Sequence, residues 1–136
     1  MEFVDKQLAL KLKDKGFDKP CFGWYHITTP PGAFEGRLNL NESYYRGATY
    51  HQLLSRHINE YSPNPNLVNA PTIEHVLEWL REEKEIMVFP VYSKNTSRWY
   101  CEIVNADSLE SEKLLFPDSY EDACIAGIEY VINNLI

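Results

Sequence analysis

The sequence predicts an α+β fold: a single-layer, mostly antiparallel sheet of three to five strands with about three helices packed on it. Three observations predict it. Apolar residues recur at helical spacing in three separate stretches, two runs between them change to extended patterning, and turn residues punctuate the joins. With 136 residues and 44% hydrophobic composition, one core is the default, so residues 1–136 are expected to form a single domain.

The stretch Ala70–Tyr92 is the organising unit. Pro71 cannot continue a helix backward, and Thr72 is a natural N-cap for a helix beginning there. Ile73, Val76, Leu77 and Leu80 fall at i, i+3, i+4 and i+7, with Trp79 flanking that stripe and Glu74, Glu78, Arg81, Glu82 and Lys84 on the other side. From Ile86 the run Ile-Met-Val-Phe-Pro-Val-Tyr is apolar on both faces, which predicts a strand with layers above and below. Pro90 cannot donate to a ladder and therefore predicts an edge position or a bulge.

Ahead of this unit, Glu2–Lys15 carries Val4, Leu8 and Leu12 four apart and predicts an amphipathic helix closed by Gly16, with Phe17 packing back on Leu12 in a Schellman motif. Cys21–Thr28 predicts a strand with Phe22, Trp24 and His26 on one face and Tyr25 and Ile27 on the other. Thr29-Pro-Pro-Gly32 is a turn, and Phe34–Leu40 a short strand pairing back as a hairpin. Residues 41–69 lose clear patterning apart from a possible helix over Tyr50–Tyr61, and Ser62–Asn66 is a connection.

Beyond the unit, Ser93–Ser97 is a polar loop. Arg98–Val104 alternates, with Trp99, Cys101 and Ile103 inward and Arg98, Tyr100 and Glu102 outward. Lys113–Phe116 adds a strand. Ser119 caps a last helix whose apolar stripe is Tyr120, Cys124, Gly127, Ile128, Val131 and Leu135.

Charge narrows the function classes. Residues 1–46 hold seven bases and six acids, whereas residues 47–136 hold six bases and fourteen acids, for a formal net charge of −7. That balance repels a phosphate backbone and disfavours nucleic-acid binding. No run approaches the roughly 20 apolar residues of a membrane span, and the first residues lack a signal-peptide layout, so a cytoplasmic protein with no membrane partner is expected. Cys21, Cys101 and Cys124, odd in number and each within an apolar run, predict buried reduced thiols.

Three stretches carry a likeness: Leu12-Lys-Asp-Lys-Gly-Phe-Asp-Lys-Pro-Cys-Phe22, Ala70–Glu83, and Ser119-Tyr-Glu-Asp-Ala123. Through them the chain resembles a group of small uncharacterised proteins encoded by phages and integrated mobile elements of gut bacteria. The likeness covers residues 1–22, 70–92 and roughly 119–136 and leaves the middle unmatched. It implies a mobile-element origin and a cytoplasmic setting, and it carries no activity and no catalytic residue.

No catalytic constellation emerges from the residues. His75 and Glu78 are one helical turn apart without a third ligand nearby, so a solvated helix surface is the expectation. His51 and His57 are six apart, which a helix does not bring together. Cys21 and His26 fall on opposite faces of a regular strand. No phosphate loop, G-x-S-x-G, paired C-x-x-C or H-E-x-x-H is present, so no cofactor, metal or catalytic residue is assigned.

The best candidate contact surface is the middle segment, where Tyr44, Tyr45, Tyr50 and Tyr61 lie among Arg46, His51, Arg56 and His57. Tyrosine and arginine anchor interfaces because they bury large area and keep a polar end to pair. The structural alternative is that these tyrosines roof the core. The sequence therefore points to a non-enzymatic domain that binds a protein or a second copy of itself, through this segment or the edge near Pro90. Two alternatives remain: a small-ligand-binding protein or enzyme with a pocket near 44–61, and an acidic decoy for a nucleic-acid-binding protein.

Overall fold

The computed structural model describes residues 2–29, 31–32, 35–40, 66–106 and 119–136, together with the backbone of 111–116. Its elements in order are α1 (Lys6–Asp14), β1 (Gly23–His26), β2 (Asn39–Leu40), β3 (Leu67–Ala70), α2 (Ile73–Glu83), β4 (Ile86–Ser93), β5 (Arg98–Asn105), β6 (Ser111–Phe116) and α3 (Tyr120–Asn134). The class is α+β, as expected. The strands form two antiparallel sheets of three, β2-β1-β3 and β4-β5-β6, in place of one sheet. The reason is β3, for which the sequence shows no strand pattern: it takes the free edge of β1, so that sheet is complete without β4. By backbone proximity the chain divides into two compact units, residues 3–72 and residues 73–136 with 1–2.

In the unit of residues 3–72, α1 starts later than expected. Asp5 is the N-cap, its carboxylate accepting from Leu8 N–H at 2.8 Å, and Phe3 and Val4 ahead of it are extended. Phe3 bridges Thr72, and Val4 N–H donates to the Pro71 carbonyl at 3.0 Å. A short acidic side chain facing the first amides outcompetes one more helical turn. The other end is as predicted: Gly16 has φ +92°, Phe17 N–H donates to the Leu12 carbonyl and Gly16 N–H to that of Lys13, the paired bonds of a Schellman motif. α1 packs on β3, burying Leu8, Ala9 and Leu12, each leucine contributing about 2 kcal/mol of apolar burial.

β1 is the centre of its sheet. Gly23 pairs with Leu40 on one side and with Ala70 on the other, and Tyr25 pairs with Val68. Tyr25 is buried and its hydroxyl donates to the Val4 carbonyl at 2.7 Å, tying the extended start of the chain to the sheet. β2 is only two residues long, shorter than the expected Phe34–Leu40; Phe34 itself lies outside the described residues. The interruption is explained by Gly36 at φ +71°, a conformation no strand uses.

In the unit of residues 73–136, α2 begins at Ile73, directly after Thr72, and Ile73 N–H donates to the Glu2 carbonyl at 2.9 Å. Its buried face is Ile73, His75, Val76, Trp79 and Leu80, so the stripe is rotated from Leu77 toward His75 and Trp79. Trp79 is in the core, and its indole N–H donates to Glu83 at 3.0 Å, which satisfies the one polar atom it carries inward. The expectation of a solvated His75 is corrected: it is 7% exposed.

β4 and β5 pair in register from Ile86↔Asn105 to Ser93↔Arg98, and β6 continues the meander. α3 lies on β4, β5 and β6, and α2 on β4. Ile86, Val88, Cys101 and Ile103 are buried; of the inward set predicted for β5, Cys101 and Ile103 hold and Trp99 is only half-buried. β4, however, is buried on one face only, at Ile86 and Val88. Phe89 on its other face is 46% exposed, which corrects the expectation of layers on both sides. Pro90 does lie on an edge strand.

α3 is capped by Ser119, whose hydroxyl accepts from Asp122 N–H at 3.1 Å. It comes so close to the sheet that a Cβ at Gly127 would meet Cys101 Sγ at 2.4 Å and Val88 Cγ1 at 2.6 Å. The predicted stripe holds at Cys124, Gly127, Ile128 and Val131. It fails at its two ends, where Tyr120 and Leu135 are exposed and Ala123 and Ile132 are buried in their stead.

Candidate functional site

All eight residues of the expected contact surface, Tyr44, Tyr45, Arg46, Tyr50, His51, Arg56, His57 and Tyr61, lie outside the described residues. The candidate surface among the described residues is a different aromatic group. β4 and β5 place Tyr92 directly opposite Trp99, and their rings meet edge to face with centroids 5.5 Å apart. Both belong to the face on which α3 packs. The helix begins at Tyr120, whose ring meets Trp99 at 5.7 Å and 79°.

Three elements thus deliver three rings to the covered face at the start of α3. Trp99 is half-buried between the other two, while Tyr92 is 50% and Tyr120 40% exposed. Edge-to-face contact fixes each ring against its neighbour and still leaves area open. Cys124 lies one turn along α3 from Tyr120. Cys124, burial, and the carboxylates of Glu74 and Glu121 push the Tyr120 hydroxyl above its ordinary titration range.

The sequence marks all three residues as ordinary strand or stripe positions, because alternation and helical period do not show where a covering layer stops. The available signal is their place in the chain: Tyr92 is next to last in β4, Trp99 second in β5 and Tyr120 first in α3.

The three cysteines are not activated as nucleophiles. All three cysteines are buried and unbridged. Burial raises Cys21 far above the ordinary thiol range, Cys101 to about 12 and Cys124 to about 11, the opposite of the shift that makes a thiolate. Cys21 donates to the Lys19 carbonyl at 3.4 Å, and His26 packs edge to face on Trp24 at 5.0 Å, its Nδ1 buried without a hydrogen-bond partner. Among the described residues no three His, Cys, Asp or Glu side chains are gathered as metal ligands. No helix among them is long and apolar enough to cross a membrane. In comparisons with known proteins, no family model matches the chain, and no curated protein and no solved structure is detectably similar to it.

Proposed function

We propose that the protein is a non-enzymatic binding domain that holds another protein through the Tyr92, Trp99 and Tyr120 cluster. The observation that carries this reading is the exposure of two tyrosines whose rings are already ordered against a tryptophan. Exposed aromatic area favours association because it is removed from water on docking, and ordered rings lose little further freedom when they dock. A cytoplasmic setting and a mobile-element origin belong to the proposal through the sequence resemblance alone.

The test is selection of a displayed random-peptide library on the full chain. Sequences retained by the wild type and lost on both Tyr92→Ala and Tyr120→Ala, at an unchanged melting temperature, support the reading. A library from which nothing is retained in a manner dependent on these two rings overturns it.

A further inference from the structure

We propose that the partner presents a basic segment, with arginine or lysine side chains seated on the Tyr92, Trp99 and Tyr120 rings beside the carboxylates of Glu74 and Glu121. This inference rests on the binding role just given and names the chemistry of what is bound. Three observations carry it.

The first is the charge of the unit that bears the cluster. Residues 1–2 and 73–136 contain fourteen acidic residues and five basic ones. Of the bases, Arg98 alternates to the opposite sheet face from Trp99, so the face that carries the rings is not neutralised by it. The second is local. Glu74 in the first turn of α2 and Glu121 in the first turn of α3 are exposed, act on Tyr120, and form no ion pair among the described residues. Each helix start offsets only about half a unit charge, and Asp122 adds a third carboxylate to these first turns, so the neighbourhood stays negative.

The third observation is that this unit already contains a filled site of the same chemistry. The Lys84 ammonium lies 5.3 Å from the centroid of the Trp79 ring, whose indole N–H is bound by Glu83. An aromatic face beside a carboxylate attracts a cation through the ring quadrupole and through charge together. The Tyr92, Trp99 and Tyr120 group presents rings at the surface with Glu121 next to Tyr120 in the chain, and among the described residues no cation of the chain lies over its rings.

The probes are short fluorescein-labelled peptides of alternating arginine and glycine, with glutamine or glutamate replacing arginine in two matched peptides. Fluorescence anisotropy is followed against the full chain. The arginine peptide should bind about tenfold tighter than the glutamine peptide and weaken as salt is raised. Glu74→Gln with Glu121→Gln should cost it about fourfold, each exposed carboxylate contributing roughly a factor of two. The same charge loss at a distance, Glu82→Gln with Glu129→Gln, should cost less than twofold.

Equal binding of the arginine and glutamine peptides overturns the inference, as does failure of the arginine peptide to bind, or equal losses in the two double variants. A homodimer that Tyr92→Ala dissolves, measured by light scattering, also overturns it, since the rings would then be covered by a second copy. The two readings fail separately. Library peptides that depend on Tyr92 but carry no excess of arginine or lysine leave the binding role standing and remove the basic partner.

Discussion

The two compact units differ in how they are put together and in charge. The unit of residues 73–136 is built from consecutive elements: β4 pairs with β5, β5 with β6, and α3 closes back over them. The unit of residues 3–72 assembles its sheet from three separated pieces, with Tyr25 pairing Val68, and fastens them through side chains, Tyr25 to the Val4 carbonyl and Asn69 to the Lys19 carbonyl at 3.2 Å. One is strongly acidic; the other holds eight bases and six acids. The difference teaches that neighbouring strands can be specified by pattern and turn alone, whereas strands from distant segments need particular side chains to hold their register.

The sharpest way to break this comparison is at the glycines. Gly127→Ala should destabilise the acidic unit by about 2–3 kcal/mol in urea denaturation, because the new methyl meets Cys101 and Val88 in a packed core. A neutral result would show that α3 can lift away from the sheet without loss. At the centre of the other sheet, Gly23→Ala meets the Leu38 side-chain tip at 2.9 Å and the Asn39 carbonyl at 3.3 Å. It should cost about 1 kcal/mol, since a side-chain tip can turn aside.

Alkaline pH probes the same helix–sheet contact. Cys101 and Cys124 titrate near 12 and 11 in the fold against an ordinary 9.0, so the folded state favours the neutral thiols. Their contribution is fully present below pH 9 and is lost as pH rises through 11 to 12. The urea midpoint should therefore fall between pH 9 and 11, and less so in Cys124→Ala. An equal fall in that variant would assign the alkaline transition to other groups.

Two smaller effects concern backbone conformation. Gly16→Ala should cost about 1 kcal/mol through φ alone, since a Cβ there meets nothing within 4 Å. Conversely, Glu85 holds φ +56° between α2 and β4, and Glu85→Gly should stabilise by about 0.5 kcal/mol, read as a rise in melting temperature.

What was legible follows the same division. The Schellman end at Gly16 and Phe17, the start of α2 after Thr72, the alternation of Cys101 and Ile103 and the Ser119 cap are each decided by residues within a few positions of one another. β3 was not legible, because Leu67–Ala70 is too short to show a period and exists only as the partner of β1. The start of α1 was misplaced because Val4 fits the helical stripe by spacing yet is buried as extended chain beside Pro71. Of the candidate surface, the identities of Tyr92, Trp99 and Tyr120 were visible but their exposure was not.

By itself the sequence determined the α+β class, the three helices, the β4–β5 hairpin and the acidic bias of residues 47–136, all of which depend on local spacing, capping chemistry and composition. Only the tertiary structure decided that the strands divide into two sheets, that Phe89 faces outward and His75 inward, and that three aromatic rings meet at the start of α3. Those outcomes depend on which distant surfaces come together and where each one ends, and no periodicity within a single segment encodes that.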